Sequence, residues 1–151
     1  MYIGYYKSPI GIIEVGCDEE NILKLDFVDN RVKLEKKNDL LALCLEELDE
    51  YFLGRRKTFS ITCALNGTEF QKSVWTALTK IPYGHTCTYK DIAINIGNPK
   101  AVRAVGGANN KNKISIILPC HRVIGSNGNL VGYGGELWRK EWLLEHEKKY
   151  L

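Results

Sequence analysis

The sequence predicts a mixed α/β fold of the α+β type, in which a small antiparallel sheet and one helix precede a mainly helical part. Short strand-like runs separated by turn residues fill the first 28 residues, and later apolar residues recur at helical spacing. We expect two domains, residues 1–66 and 67–151, with residues 55–67 forming the connection between them. The first would be a scaffold domain and the second would carry the function.

The first three elements are predicted as an antiparallel meander. Strand-like runs cover Tyr2–Lys7, Gly11–Gly16 and Ile22–Val28. Turn residues separate these runs at Ser8-Pro9 and at 17–21. Because the connections are short, neighbouring strands should pair with each other.

A helix is predicted next, from Leu40 to Leu53, ending at Gly54. Its apolar residues recur at helical spacing and the opposite face is acidic. The residues that should face inward are Leu41, Leu45, Leu48 and Phe52. This pattern is common in scaffold domains and indicates no chemistry of its own.

The second half opens with a capping box at Thr68-Glu69-Phe70-Gln71, which predicts a helix start. That helix should end at Pro82-Tyr83-Gly84 and pack through Phe70, Val74, Leu78 and Ile81. A short helix, Tyr89–Ile96, and a further helix, Lys100–Asn110, should follow. Between them lies Gly97-Asn98-Pro99, where Asn98 can cap the later helix, so the layout is helix, short turn, helix.

The helix Lys100–Asn110 has two different faces on a helical wheel. Its apolar face comprises Ala101, Val102, Val105 and Ala108, and its opposite face comprises Arg103, Gly107 and Asn110, flanked by Lys100, Ala104 and Lys111. Gly106 and Gly107 each cost a helix about 1 kcal/mol relative to alanine. We therefore expect them to permit the close approach of another surface. A DNA groove entered by Arg103 and a small-residue contact with another helix explain this face equally well.

The chain has 151 residues, of which 44% are hydrophobic and 26% charged, as in folded globular domains. Residues 1–67 carry nine Lys or Arg and twelve Asp or Glu, whereas residues 68–151 carry twelve and six. A basic half is typical of nucleic-acid binding, although a solvated basic surface has the same charge. No apolar run reaches the roughly 20 residues of a membrane span, and no secretory signal opens the chain, so we expect a cytoplasmic or nucleoid protein.

The five cysteines are too scattered for a zinc site and odd in number. They are Cys17, Cys44, Cys63, Cys87 and Cys120. We expect reduced thiols, no metal and no cofactor.

The stretch Ile117-Leu118-Pro119-Cys120-His121-Arg122-Val123 places a thiol beside an imidazole inside an apolar segment. A buried cysteine is usually a small apolar residue. A neighbouring histidine that takes its proton would make Cys120 a nucleophile. Adjacent residues do not face each other on a helix or a strand, so a water should join Cys120 to His121. A carboxylate in the acidic end of the last helix should orient the ring.

Pro119-Cys120-His121-Arg122-Val123 is similar to the signature of the O6-alkylguanine-DNA alkyltransferases. Other motifs resemble this family in the same order along the chain. They are Ser8-Pro9-Ile10-Gly11, Tyr51-Phe52-Leu53-Gly54, Thr68-Glu69-Phe70-Gln71 with Val74-Trp75, Ile81-Pro82-Tyr83-Gly84, Ala101-Val102-Arg103-Ala104-Val105 and Gly132-Tyr133. The resemblance extends from about residue 4 to about residue 147.

The resemblance implies a ribonuclease H-like N-terminal domain, a C-terminal winged helix-turn-helix, and direct-reversal DNA repair. A protein of this kind rotates an alkylated guanine out of the duplex and transfers its O6-alkyl group to a cysteine. By position, Cys120 is the acceptor, His121 the base acting through water, and Glu147 the orienting carboxylate. Tyr89 would help to rotate the nucleotide and would protonate guanine N3, and Asn112 would hold the turn before the active-site segment.

The same resemblance implies a monomer that binds the minor groove of double-stranded DNA, with Arg103 filling the vacated base stack. Further DNA contacts are expected from Tyr89, Ala101, Gly107, Asn110, Lys100, Lys111 and Arg122. Residues expected at the base pocket are Val123, Ser115, Gly134, Gly135 and Tyr133. The backbone of Cys120 and Val123 would read the exocyclic amine, and a backbone N–H near Gly134 would lie near O6.

Departures from the family pattern affect the pocket. The family commonly has prolines where this chain has Asn112-Lys113-Ile114-Ser115, and Gly134 stands where many members have serine. Gly135-Glu136 replaces a more usual glycine pair. We therefore expect methyl transfer and leave bulkier groups open.

Two other functional classes are alternatives. A lesion-binding relative without catalysis is disfavoured by the presence of Cys120, and a winged-helix regulator would not explain why Tyr89, Asn112, His121 and Glu147 occur together. A Cys-His hydrolase is a more distant alternative.

Overall fold

The computed structural model describes residues 1–130 and 136–151. The chain forms two compact units, Met1–Ala64 and Leu65–Leu151, and each is described by itself. The predicted fold class is confirmed, because the first unit combines a small antiparallel sheet with a helix and the second is mainly helical. No helix in the described part of the chain combines the length and the apolar character needed to cross a membrane.

The sheet of the first unit is an antiparallel meander of β1 (Tyr2–Ser8), β2 (Gly11–Cys17) and β3 (Ile22–Val28). The turn between β1 and β2 is tight, since Ser8 pairs directly with Gly11. Alternation along β2 sends Ile13, Val15 and Cys17 into the core, where all three are fully buried.

One helix, α1 (Asp39–Phe52), packs on the sheet of this unit. Asn38 caps it by accepting a hydrogen bond from the Leu41 backbone N–H. The predicted inward residues Leu41 and Leu48 are fully buried. Glu47, an acidic residue outside the predicted apolar face, is nevertheless buried and accepts hydrogen bonds from the backbone and the hydroxyl of Ser60.

The second unit contains α2 (Glu69–Leu78), α3 (Tyr89–Asn95), α4 (Val102–Asn110) and α5 (Leu137–Lys149). The capping box at Thr68 and Gln71 is present, and Thr88 and Asp91 form a second one at α3. Two short strands, β4 (Cys87–Thr88) and β5 (Val123–Ile124), pair in parallel. This pairing joins the start of α3 to the segment that contains Cys120.

The start of α4 corrects one prediction. The helix begins at Val102, not at Lys100, and its N-cap residue Ala101 makes no side-chain cap. The Ala101 N–H donates to the carbonyl of Asn98, which closes a separate turn. Since Asn98 belongs to this turn, it is not the cap of α4. The predicted order of helix, short connection and helix is nevertheless present in α3 and α4.

The buried face of α4 also differs from the wheel prediction. Val105 and Ala108 are buried as expected, but Val102 is 36% exposed. Asn109, assigned to neither face, is 1% exposed. The Trp75 indole N–H donates to the Ala108 carbonyl at 2.9 Å, which anchors α4 on α2. The inward face is therefore rotated toward Asn109.

Candidate active site around Cys120

Cys120 opens a single turn of 3-10 helix, Cys120–Arg122, directly after Pro119. The Cys120 N–H donates to the Leu118 carbonyl at 2.7 Å, and the Arg122 N–H donates to the Pro119 carbonyl at 3.0 Å. Pro119 has no N–H of its own, so it fits the start of this turn. The turn buries Cys120, His121 and Arg122. Neither a regular helix nor a strand presents the thiol.

The loop before this turn is held by Asn112. Its Nδ2 donates to the carbonyls of Leu118 at 2.8 Å and Ile114 at 3.2 Å, and its Oδ1 accepts from the Ile114 N–H at 3.0 Å. Ile116 within the loop has a φ of 72°, an unfavourable backbone conformation for a β-branched residue. Such strain costs about 1–3 kcal/mol and persists only where the surroundings enforce it. The Asn112 hydrogen bonds provide that enforcement.

His121 and Glu147 form a buried pair. His121 Nε2 lies 2.6 Å from Glu147 Oε2, and both side chains are fully buried. A carboxylate only accepts hydrogen bonds, so Nε2 carries the hydrogen and Nδ1 of the neutral ring is an acceptor. Within residues 1–130 and 136–151, Nδ1 has no hydrogen-bond partner. The ring is thus oriented with a basic nitrogen available.

Arg122 completes the setting of Glu147. Its Nε donates to Oε1 at 2.8 Å and its Nη2 to Oε2 at 3.0 Å, while Nη1 donates to the Ile81 carbonyl at 2.8 Å. This bidentate pairing fixes the carboxylate plane. The structure therefore corrects the predicted DNA contact of Arg122, whose guanidinium is buried and committed to internal acceptors.

A further partner of Glu147 comes from the turn after α2. The Gly84 N–H donates to Glu147 Oε1 at 3.1 Å. Gly84 has a φ of +77°, and a Cβ at this position would lie 2.4 Å from a Leu151 methyl carbon. The positive φ favours glycine here, whereas the exposed Leu151 side chain can move away from a Cβ. The motif Ile81-Pro82-Tyr83-Gly84 was recognised in the sequence, but its contact with Glu147 was not.

The protonation states follow from burial and charge. Burial lowers the pKa of His121 and outweighs the opposing attraction of Glu147. Burial alone would raise the pKa of Glu147, but the pairing with His121 and Arg122 lowers it well below its usual range. Arg122 is always charged, so the carboxylate keeps a cationic partner when His121 is neutral. The site thus combines a neutral imidazole with an ionised carboxylate.

Tyr89, the first residue of α3, lies buried among polar groups that sequence reasoning missed. Lys140 Nζ donates to the phenolic oxygen at 3.4 Å. Burial raises the pKa of Tyr89, as does the nearby Cys120 charge, while the nearby Asn109 side chain opposes them. Lys140 and Glu147 lie seven residues apart on one helix, so helical spacing was a usable signal for Lys140.

The other predicted site residues separate into an exposed set and a buried set. Lys100, Arg103, Gly107, Asn110 and Lys111 are exposed, and Ala101 is half-buried. Apart from the backbone of α4 and the two chain neighbours of Gly107, no heavy atom of the described residues lies within 4 Å of a Cβ built at Gly107. Ser115 and Val123 are buried near the 3-10 turn. Tyr133, Gly134 and Gly135 lie outside the described residues, as does the Gly132-Tyr133 motif.

The cysteines and acidic groups do not form a metal site in the described ranges, where no cluster of at least three His, Cys, Asp or Glu side chains is placed to hold an ion. All five cysteines lie in the described ranges, and none of them forms a disulfide there. The fold and site therefore define a class: a helix-turn-helix unit with a buried cysteine whose neighbouring histidine is oriented by a carboxylate.

Comparison with known protein families makes the assignment specific. Residues 69–149 match the family model of the 6-O-methylguanine DNA methyltransferase DNA binding domain, and residues 1–65 match that of the family's ribonuclease-like domain. The chain belongs to the 6-O-methylguanine DNA methyltransferase family. Together these matches cover nearly the whole chain.

Relatives agree over almost their full length. The chain is 50% identical to a methylated-DNA--protein-cysteine methyltransferase of Methanosarcina acetivorans, covering 97% of this chain and 98% of the relative. It is 43% identical to the constitutive methyltransferase of Bacillus subtilis, covering 97% and 96%. Its fold matches the crystal structure of Mycobacterium tuberculosis OGT in complex with DNA, with a TM-score of 0.92, 41% identity and coverage of 99% of this chain and 94% of that one.

Proposed function

We propose that this protein repairs DNA by direct reversal, transferring the O6-methyl group of guanine, and the O4-alkyl group of thymine, to its own Cys120. The observation that carries the proposal is the buried thiol beside an imidazole with an available basic nitrogen and a clamped carboxylate. The near full-length similarity to methylated-DNA--protein-cysteine methyltransferases supports the same reaction.

The nucleophile is generated by proton transfer from Cys120 through a water to His121. The acceptor is His121 Nδ1, because Nε2 is bound to Glu147. Glu147 and Arg122 hold the ring in this tautomer and stabilise the imidazolium that forms. The low pKa of His121 keeps the ring neutral before the reaction.

The transfer is a substitution at a saturated carbon. The thiolate of Cys120 attacks the alkyl carbon, the S–C bond forms and the C–O6 bond breaks. The leaving guanine receives a proton at N3 from the Tyr89 phenol. The phenolate then regains a proton from the imidazolium of His121 by way of solvent. The thioether product has no leaving group that water can displace, so each protein molecule reacts once.

The DNA contact is assigned to the exposed face of α4. Gly107 leaves space for a close backbone approach, and Lys100 and Lys111 flank that face with positive charge. Arg103 extends from it and would fill the stack after the nucleotide rotates into the pocket. We assign the approach to the minor groove of duplex DNA by one protein monomer, in the cytoplasm or nucleoid.

Other residues position or line the pocket. Asn112 holds the loop before Cys120, and Ser115 and Val123 belong to the pocket wall. The carbonyls of Cys120 and Val123 each accept an internal hydrogen bond, but a carbonyl oxygen has two lone pairs and can also receive the exocyclic amine. The pocket roles proposed for Tyr133, Gly134 and Gly135 rest on the family resemblance alone, since these residues lie outside the described ones.

The test is intact and peptide mass spectrometry after mixing the protein with a duplex that contains O6-methylguanine. We expect one methyl group per protein, located on the Cys120 peptide. Tight lesion binding without an adduct would support a recognition-only protein. Neither an adduct nor a preference for the lesion would leave a helix-turn-helix DNA-binding regulator.

Two substitutions assign the roles. Cys120→Ser should abolish transfer and keep DNA affinity, because the hydroxyl is a far weaker nucleophile of similar size. Arg103→Ala should slow repair of a lesion in duplex DNA more than in a single strand, where no stack has to be filled. Equal slowing on both substrates would remove the stack-filling role from Arg103 without affecting the assignment of Cys120.

A further inference from the structure

Asn109, in the last turn of α4, is buried beside the reactive turn and has no part in the mechanism above. Its side chain is 1% exposed, and Nδ2 donates to the carbonyl of Cys120 at 3.2 Å. The donor and the acceptor lie 11 residues apart in the chain. This hydrogen bond therefore ties the residue that carries the thiol to a different element of the fold.

The oxygen of the same amide is unsatisfied. Asn109 Oδ1 is buried and has no hydrogen-bond partner within residues 1–130 and 136–151. The orientation of the amide is fixed, because a carbonyl oxygen can receive a hydrogen bond only from Nδ2. A buried acceptor without a partner lowers stability, so packing alone would favour an apolar side chain of similar size here. Stability therefore does not explain an asparagine at this position.

The helix α4 carries Asn109 and the proposed stack-filling residue Arg103 on different sides. Arg103 is exposed and lies six residues before Asn109. Six residues advance a helix by about 9 Å and rotate it by about 240°. The helix between them is held in place, because Val105 and Ala108 are buried and the Ala108 carbonyl accepts from the Trp75 indole. One anchored helix thus connects the proposed DNA contact to the carbonyl of the thiol residue.

We propose that Asn109 is a positioning residue for alkyl transfer, which places the thiol of Cys120 relative to the DNA that α4 binds. The inference rests on the proposed function, since Cys120 must accept the alkyl group and α4 must contact the duplex. Local hydrogen bonds of the 3-10 turn fix its shape, whereas the Asn109 bond fixes its place against α4. Placement affects the rate because the sulfur must lie in line with the C–O6 bond that breaks.

Asn109→Leu removes the donor and keeps approximate size. We expect the single-turnover rate of methyl transfer from an O6-methylguanine duplex, at saturating DNA, to fall by about tenfold or more. The dissociation constant for the duplex should change by less than about threefold, because the exposed face of α4 is intact. The urea midpoint of unfolding should not fall. The matched control Asn95→Leu, at an exposed position on α3, should react at the wild-type rate. A wild-type rate in Asn109→Leu would overturn the inference.

The free base O6-methylguanine separates positioning toward DNA from a general effect on the thiol. It enters the pocket without a duplex on α4, so the place of the thiol relative to this helix should matter less. At base concentrations where the wild-type protein forms an adduct, Asn109→Leu should slow methylation of the Cys120 peptide by less than about threefold. An equal loss of rate on the duplex and on the free base would contradict the inference.

A measurement on the wild-type protein keeps the proposal testable if Asn109→Leu fails to fold. One side-chain amide hydrogen of Asn109 should exchange slowly with solvent and show nuclear Overhauser contacts with backbone hydrogens of Cys120 and His121. Fast exchange of both amide hydrogens, without these contacts, would refute the arrangement. Failure of the proposed function is distinguishable, because then the wild-type protein and Asn95→Leu would also form no methyl adduct on Cys120.

Discussion

Glu14 in the first unit and Glu147 in the second are both buried carboxylates with several donors, yet their partners differ in kind. Glu14 accepts from Lys24 at 2.9 Å, Lys33 at 3.1 Å and the Tyr5 hydroxyl at 3.0 Å. Glu147 instead shares its oxygens between Arg122 and His121, a group that can change its protonation state.

The difference shows when a buried carboxylate is structural and when it serves a reaction. The two lysines that pair with Glu14 are partly exposed, so water can replace them as hydrogen-bond donors. The cluster links neighbouring strands of the sheet. The cluster of Glu147 is buried, and His121 Nδ1, itself buried, makes no hydrogen bond to the described residues. An available acceptor on a titratable partner indicates chemistry, and burial alone does not.

Removing the charge of Glu147 should have the largest effect. Glu147→Gln leaves the buried Arg122 without its counter-charge and weakens the orientation of His121. We expect the single-turnover transfer rate to fall by about a hundredfold or more, and the free energy of unfolding to fall by about 3–5 kcal/mol. Rapid-quench transfer assays and urea unfolding measure the two quantities. A wild-type transfer rate would mean that His121 needs no carboxylate.

Glu14→Gln should reduce stability and leave the chemistry intact. A neutral amide loses charge-assisted bonds from Lys24 and Lys33 and places a donor near them, so we expect a loss of about 1–3 kcal/mol in the free energy of unfolding. The transfer rate of the folded fraction should be unchanged. A rate loss comparable to that of Glu147→Gln would contradict the distinction between the two clusters.

The two clusters should also differ in pH dependence. The pKa of His121 is lowered in the folded state, so unfolded chains bind its proton below about pH 6.5 while folded chains do not. Its contribution is complete above that pH and is lost as the pH falls. Glu14 and Glu147 have lowered pKa values, so their contributions are lost only in more acidic solution, below about pH 4.3.

The check is urea unfolding at several pH values between about pH 5 and pH 7. His121→Asn should reduce the slope of the unfolding free energy against pH, and the reduction should be less than about 1.4 kcal/mol per pH unit. Glu14→Gln should leave this slope unchanged between these pH values. An unchanged slope in His121→Asn would mean that the imidazole is not held neutral in the folded protein.

The smallest effect is expected from the lysines of the first cluster. The Lys24 side chain is 35% exposed, so solvent screens its ion pair with Glu14. Lys24→Met should lower the free energy of unfolding by less than about 1 kcal/mol, because Lys33 and Tyr5 still donate to the carboxylate. Thermal and urea unfolding measure this change. A loss equal to that of Glu14→Gln would show that one pair dominates the cluster.

Elements governed by neighbours in sequence were predictable. The strands of the meander and the capping box at Thr68 and Gln71 were predicted from local patterns, and the structure contains them. The start of α4 was misplaced because Asn98-Pro99 suits either a helix cap or an independent turn, and packing against α2 and α3 selects the turn. The prediction that Val102 faces inward is wrong for a similar reason. A helical wheel shows which residues share a face, but it does not show which face the neighbouring helices cover.

The sequence alone determined the order of elements, the basic character of the second half and the identity of the residues at the reactive turn, because these depend on composition and on hydrogen bonds between near neighbours. Only the tertiary structure decided that Arg122 faces Glu147 and that Lys140 meets Tyr89. Arg122 and Glu147 lie 25 residues apart in the chain, and Tyr89 and Lys140 lie 51 residues apart. Such pairs form because buried polar groups must find partners wherever the packed helices bring them together.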